Sequence, residues 1–280
     1  MMIKQEFLRY LKSKFNLLLV TIMLLPVAGS YYTTYLEKKE WKSLLHSPAP
    51  DLNISLVRDI VNGYSGAKYF EKFIFSGDYY IIFIIVILAG LGVHIGSTMY
   101  RNLATGFGNQ LIIRLSFKKY LDNLLIAQSL YISVFILAYL IFVGSLSCII
   151  NGYSSSRLLF NLQHIAIHVL ILVVYVILVL LITSLLTVYF HNKHLLQLTP
   201  LIVYFVPLLL ASALGNEFIF KIMENFVADN YLLAVYFTDI PQEGIFNTLL
   251  SYGSLPLLLV IIFQYLYTKN ITSFGRDYIK

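Results

Sequence analysis

Charge is what this chain has least of: 12% of its 280 residues are Asp, Glu, Lys or Arg, against about 25% in an ordinary soluble domain. With 59% hydrophobic residues and a mean hydropathy of +0.77, too little polar surface is left to cover a globule in water. Cysteine is nearly absent too. Cys148 stands alone in an apolar stretch, so a disulfide framework or a cysteine-rich metal site within one chain is excluded. Catalytic signatures are also missing. There is no His-Glu-x-x-His helix, no Gly-x-Ser-x-Gly elbow and no pair of aspartates inside an apolar run. Nor is there a Gly-x-x-x-x-Gly-Lys-Ser/Thr loop, so this chain cannot hydrolyse ATP by the usual P-loop route. The reading is therefore not an enzyme.

What is present in abundance is long apolar runs. A helix rises 1.5 Å per residue, so crossing about 30 Å of hydrocarbon takes roughly 20 apolar residues. Six stretches meet that length: Phe15–Leu36, Tyr79–Tyr100, Asn123–Ile150, His164–Phe190, Leu195–Leu214 and Leu249–Thr268. None contains Asp, Glu, Lys or Arg. Tyrosines crowd their ends (Tyr31, Tyr32 and Tyr35; Tyr79 and Tyr80; Tyr265 and Tyr267), at the depth amphipathic rings prefer. Uninterrupted runs of this length suit helices, whereas barrels need short alternating segments. The expected fold is an all-α integral membrane protein with six transmembrane helices. The first run follows a basic segment and shows no small-residue cleavage site before Glu37, so it reads as a retained helix.

Orientation follows from the cations. With both termini inside, the inner segments carry a net charge of +9 and the outer ones −3, which together recover the formal +6. The last outer loop is the most lopsided, with Glu217, Glu224, Asp229, Asp239 and Glu243 facing Lys221 alone. Lys and Arg on the cytoplasmic side are the rule in cell membranes. That topology also accounts for the basic residues without invoking nucleic acid.

Several loops have character of their own. Residues 1–14 pattern as an amphipathic helix on the inner surface. Ile3, Phe7, Tyr10, Leu11 and Phe15 line one side, with Lys4, Arg9 and Lys12 on the other. The outer loop 37–78 is broken by Pro48, Pro50, Gly63 and Gly66, and its part from Leu52 to Phe75 can hold a surface helix. In the inner loop 101–122, Gly106 and Gly108 precede Leu111, Ile112, Leu115 and Phe117, which alternate with Arg114, Lys118 and Lys119. This segment reads as a short basic helix parallel to the membrane, serving as a lipid-headgroup anchor or as a docking surface for a cytosolic partner. Residues 215–248 read as a broken external helical segment.

Intramembrane chemistry is sparse. Coupled carriers place ionisable groups at membrane depth, and here the only candidates are His94, His164 and His168. His164 and His168 lie one turn apart and could share a metal, but no third ligand is evident, so packing is the assigned role. His94 sits between Gly92 and Gly96, a small-xxx-small pair that lets helices approach closely. Pro26, Pro200, Pro207 and Pro256 each remove a backbone donor from a span, which suits kinked, movable helices.

The stretch Gly106–Leu121, in which a glycine is followed by Arg114 and then by Tyr120-Leu121 leading into the third span, carries a family resemblance. Together with the N-terminal helix, six spans and the broken segment before the last span, it resembles the type-2 permeases of ATP-binding-cassette (ABC) transporters. These are bacterial exporters of peptides, drugs, lipids and glycans. The resemblance implies two permease subunits, as homo- or heterodimer, around a central path, with separate cytosolic ATPase subunits beneath. Gly106, Arg114, Lys118, Lys119 and Tyr120 of the loop would contact them. So would Lys4, Phe7, Arg9, Leu11 and Lys12 of the N-terminal helix. ATP would sit on the partner, and this chain would hold no cofactor. Charge-free spans suit an amphipathic peptide or lipid-like cargo. Two other readings are open, a non-transporting immunity or assembly protein and a polytopic enzyme of lipid metabolism.

Overall fold

The computed structural model describes residues 2–46, 53–75, 78–98, 100, 117–152, 158–189, 192–213 and 245–277. Among these residues every regular element is a helix. Helix α1 (Met2–Leu11) and helix α2 (Phe15–His46) meet at an elbow over Lys12, Ser13 and Lys14. The Ser13 hydroxyl accepts from the Phe15 N–H at 3.3 Å, while the Asn16 side chain donates to the carbonyls of Tyr10 (2.9 Å) and Leu11 (3.0 Å). The last carbonyls of a helix have no partner within it, so Asn16 caps α1 from the first turn of α2.

Helix α2 runs ten residues past the expected end of the first span at Leu36. Helix α3 (Ile54–Asn62) is capped by Asn53, whose side chain accepts from the Ser55 N–H at 3.1 Å. Gly63 and Gly66 do break the segment, as expected, and the mostly exposed α3 is a surface helix of the kind anticipated in this stretch, whereas helix α4 (Gly66–Phe75) is packed into the fold. Its Tyr69, Phe70, Phe73 and Ile74 are buried, and it packs on helix α6 (Phe117–Asn151). Close approach is possible because residue 66 is glycine: a Cβ there would lie 2.5 Å from the Ser147 carbonyl oxygen and 2.6 Å from the Cys148 Cα. Helix α5 (Asp78–Leu91) follows α4 at a 65° bend and passes into a π-helical turn, Gly92–Gly96.

Helix α6 begins at Phe117, so Lys118, Lys119, Tyr120 and Asp122 belong to it rather than to a separate loop helix. Helix α7 (Leu158–Tyr189) is central, with α6, helix α8 (Lys193–Ala213) and helix α9 (Ile245–Asp277) all packed on it. Asn192 caps α8 by accepting from the His194 N–H at 2.9 Å. Ile245–Thr248, expected in the external segment, open α9, and residues 214–244 lie outside the described residues.

Among the described residues three helices, Phe15–His46, Lys118–Asn151 and Ala166–Leu186, are long and apolar enough to cross a membrane, and the bent α4–α5 pair counts as a fourth if taken as one span. The distribution of polarity agrees. Leu17, Leu25, Ile141, Ile149 and Ile261 are exposed, while Ser30, Thr34, Gln128, Ser147, His168, Thr183 and Ser184 are buried. An apolar exterior of this extent has no place in water.

Proline 26 lies buried in α2 without ending it. The carbonyl it leaves without a helical donor is that of Ile22; one residue further on, the Met23 carbonyl accepts from the Tyr139 hydroxyl of α6 at 2.7 Å. Tyr139→Phe is expected to cost about 1 kcal/mol, the scale of an interhelical hydrogen bond in a membrane, read from reversible unfolding in mixed micelles. Unchanged stability would show that the carbonyl finds another donor.

Candidate coupling site

Among the described residues, the elbow between α1 and α2 gathers a connected group of polar and aromatic side chains. Tyr10 is 1% exposed, and its hydroxyl accepts from the Gln128 amide of α6 at 2.9 Å. Its ring stacks on Tyr131 (5.5 Å) and meets His94 edge-on (5.3 Å). His94 also stacks on Phe15 at 5.3 Å, and the Tyr131 hydroxyl donates to the Asn16 side chain. One imidazole thus touches rings from α1, α2 and α6. Burial pushes the Tyr10 phenol up to about 12, the Gln128 hydrogen bond opposing only part of that shift. The ring therefore stays neutral across the working range of pH.

This arrangement revises the expected faces of α1. The residues it buries are Glu6 and Tyr10. Phe7 is half-buried against the core, whereas Leu11 is exposed. Arg9 is engaged with its own helix, pairing with Glu6 at 2.6 Å and lying 5.4 Å from the centre of the Tyr10 ring. Lys4, Lys12 and Lys14 remain exposed. The N-terminal end of α1 reaches the start of α6, where the Asn123 amide donates to the Met2 sulfur at 3.9 Å.

Of the residues expected in the docking loop, Lys118 is half-buried and Lys119 exposed on the first turn of α6. Tyr120 is 1% exposed, so within this chain it is a packing residue and not a contact surface. Gly106 and Arg114 lie outside the described residues. Asn16, Gln128 and Tyr131 carry no charge, so the ionisable residues of the spans do not point to them. A neutral amide in an apolar run was the available signal.

On the other side of His94, the small pair does what its spacing predicted. A Cβ on Gly92 would overlap the Gln197 carbonyl oxygen, and one on Gly96 would lie 2.9 Å from the Leu196 carbonyl oxygen. The Gln197 side chain of α8 donates to the Ser97 hydroxyl just past the π turn. His168 is buried edge-on to Tyr80 at 5.0 Å, in a packing environment. The side chain of His164 is outside the described residues, and among those described no group of three metal-binding side chains occurs.

A second polar cluster ties α2, α4 and the turn between α3 and α4. Glu37 pairs with Lys72 and accepts from the Tyr64 hydroxyl at 3.2 Å, while Lys38 donates to the Tyr64 carbonyl at 3.2 Å. It braces the segment between α2 and α5 and, among the described residues, presents no reactive pair. Comparison with protein-family models, curated proteins and solved structures finds no match for this chain.

Proposed function

We propose that the chain is the transmembrane subunit of an ABC transporter, crossing the cell membrane six times with both termini in the cytoplasm. It exports an amphipathic peptide or lipid-like molecule, paired with a second permease subunit and driven by separate ATPase subunits. One observation carries this reading. Helix α1 is docked on the N-terminal part of α6, so the N-terminal helix and the Lys118–Lys119 pair that opens α6 are neighbours rather than independent tails. Exposed Lys4, Lys12 and Lys14 of the N-terminal region accompany exposed Lys119 of α6. The described buried side chains of the long apolar helices are apolar or neutral-polar groups and His168, which suits an amphipathic cargo and leaves the driving force to a partner.

The test is association. An ATPase bearing the ABC signature from the same genome is expected to co-purify with the chain from detergent. Arg114→Glu, Lys118→Glu and Lys119→Glu together are expected to weaken that complex by at least tenfold, because charge reversal at a desolvated contact costs about 1.4 kcal/mol for each factor of ten. An undiminished complex and intact transport would overturn the docking surface. Labelling of positions near 110 only from outside the cell would overturn the topology.

A further inference from the structure

We propose that the π-helical turn Gly92–Gly96 is a mechanical joint, linking the docking of α1 to the position of α8. A π turn holds one residue more than an α turn, is rare, and is frequently found at functional sites. Here it is held from two sides. On one side Gly92 and Gly96 lie against the Gln197 and Leu196 carbonyls, and Gln197 donates to Ser97. The Leu196 carbonyl is the one that Pro200, lacking an N–H, leaves without its helical donor. On the other side the His94 ring is enclosed by Tyr10, Phe15 and Tyr131, at centroid distances of 5.3, 5.3 and 5.9 Å. The turn's own loosened carbonyl is provided for, since that of His94 accepts from the Ser97 N–H and, at 2.8 Å, from the Thr98 hydroxyl.

Relaxing the turn to an α-helix would rotate everything beyond it by about 100° and shift it by about 1.5 Å, one residue's worth of helix. That rotation takes the His94 ring and Ser97 out of register with each other. The aromatic pocket and the α8 clamp can therefore be satisfied together only in the π form. Undocking α1 frees His94 and favours relaxation, which pulls Ser97 from Gln197. Displacing α8 does the reverse. The linkage holds whether or not the chain partners an ATPase.

The experiment uses the full chain in lipid nanodiscs. With the one native cysteine removed (Cys148→Ala), Ser97→Cys and Gln197→Cys are bridged by a short, reducible thiol-reactive linker. Amide hydrogen exchange of Met2–Leu11 is then measured with the bridge intact and after reduction, so the same molecule serves as its own control. The bridge is expected to slow exchange in α1 about tenfold, a coupling of ordinary allosteric size. Unchanged exchange in α1 overturns the proposal, as does failure of the linker to join the two positions. Independently, His94→Ala is expected to speed exchange in both Met2–Leu11 and the first turns of α8, and acceleration of α1 alone also overturns it.

Discussion

Gly92→Ala is expected to destabilise this protein by about 1–3 kcal/mol, the usual cost of forcing an extra group into a close-packed contact. The direction is the informative part. In a helix alanine is better than glycine by about 0.8–1.0 kcal/mol, so a change that adds one methyl group should stabilise unless something occupies its place. At Gly92 the Gln197 carbonyl oxygen occupies it, and backbone cannot swing aside as a side chain can. The matching control is Gly253→Ala in α9, where nothing lies within 4 Å of the new Cβ. That change should be neutral or stabilise by up to about 1 kcal/mol. Reversible unfolding of both variants in mixed micelles decides the matter. Equal responses would mean that α5 and α8 do not cross at Gly92.

Tyr10→Ala should have the larger effect. Removing a buried aromatic ring costs about 3–5 kcal/mol, and here the ring also holds a helix in place. Alone, α1 has ten residues, below the roughly 12–15 at which isolated helices become even marginally stable in water. Loss of the ring should therefore undock α1 and melt it, exposing the Lys12–Lys14 elbow to trypsin in detergent. Tyr10→Phe separates the two contributions. It keeps the stacking on Tyr131 and His94 but removes the acceptor of the Gln128 amide, for about 1–3 kcal/mol. Wild-type resistance to trypsin in Tyr10→Ala would show that α1 is held by Met2 and Phe7 instead.

How much of this was readable in advance depended on which force did the placing. The apolar runs at 15–36, 123–150 and 164–190 needed nothing but composition, because hydrocarbon excludes charge wherever the helix sits. The glycine pair flanking His94 was readable as a close crossing because a three-residue gap repeats on one helix face. Its partner, the carbonyls beside Pro200, lies about a hundred residues along the chain and has no signature of its own. The burial of helix α4 had no signature in its sequence for a related reason. Gly66–Phe75 contains Lys68, Glu71 and Lys72, which make it look like a surface segment. Lys68 pairs with Glu71 at 2.9 Å, and Lys72 with Glu37 across the fold, freeing the aromatic side to bury. Amphipathic patterning located α1, but it could not say that Glu6 turns inward with Arg9 for company.

Read alone, the residue order determined that this chain builds helices long and apolar enough for a membrane, since solvation by lipid acts on each segment separately. It also marked where helices break and where they can touch closely, because Gly and Pro act on the local backbone. The tertiary structure alone decided which groups meet. It placed an imidazole from the π turn edge-on to a tyrosine from α1, an amide from α6 on that tyrosine, and two glycines against the carbonyls of α8. Those meetings depend on packing between distant segments, where energies of one or two kcal/mol select among many partners of similar polarity and size.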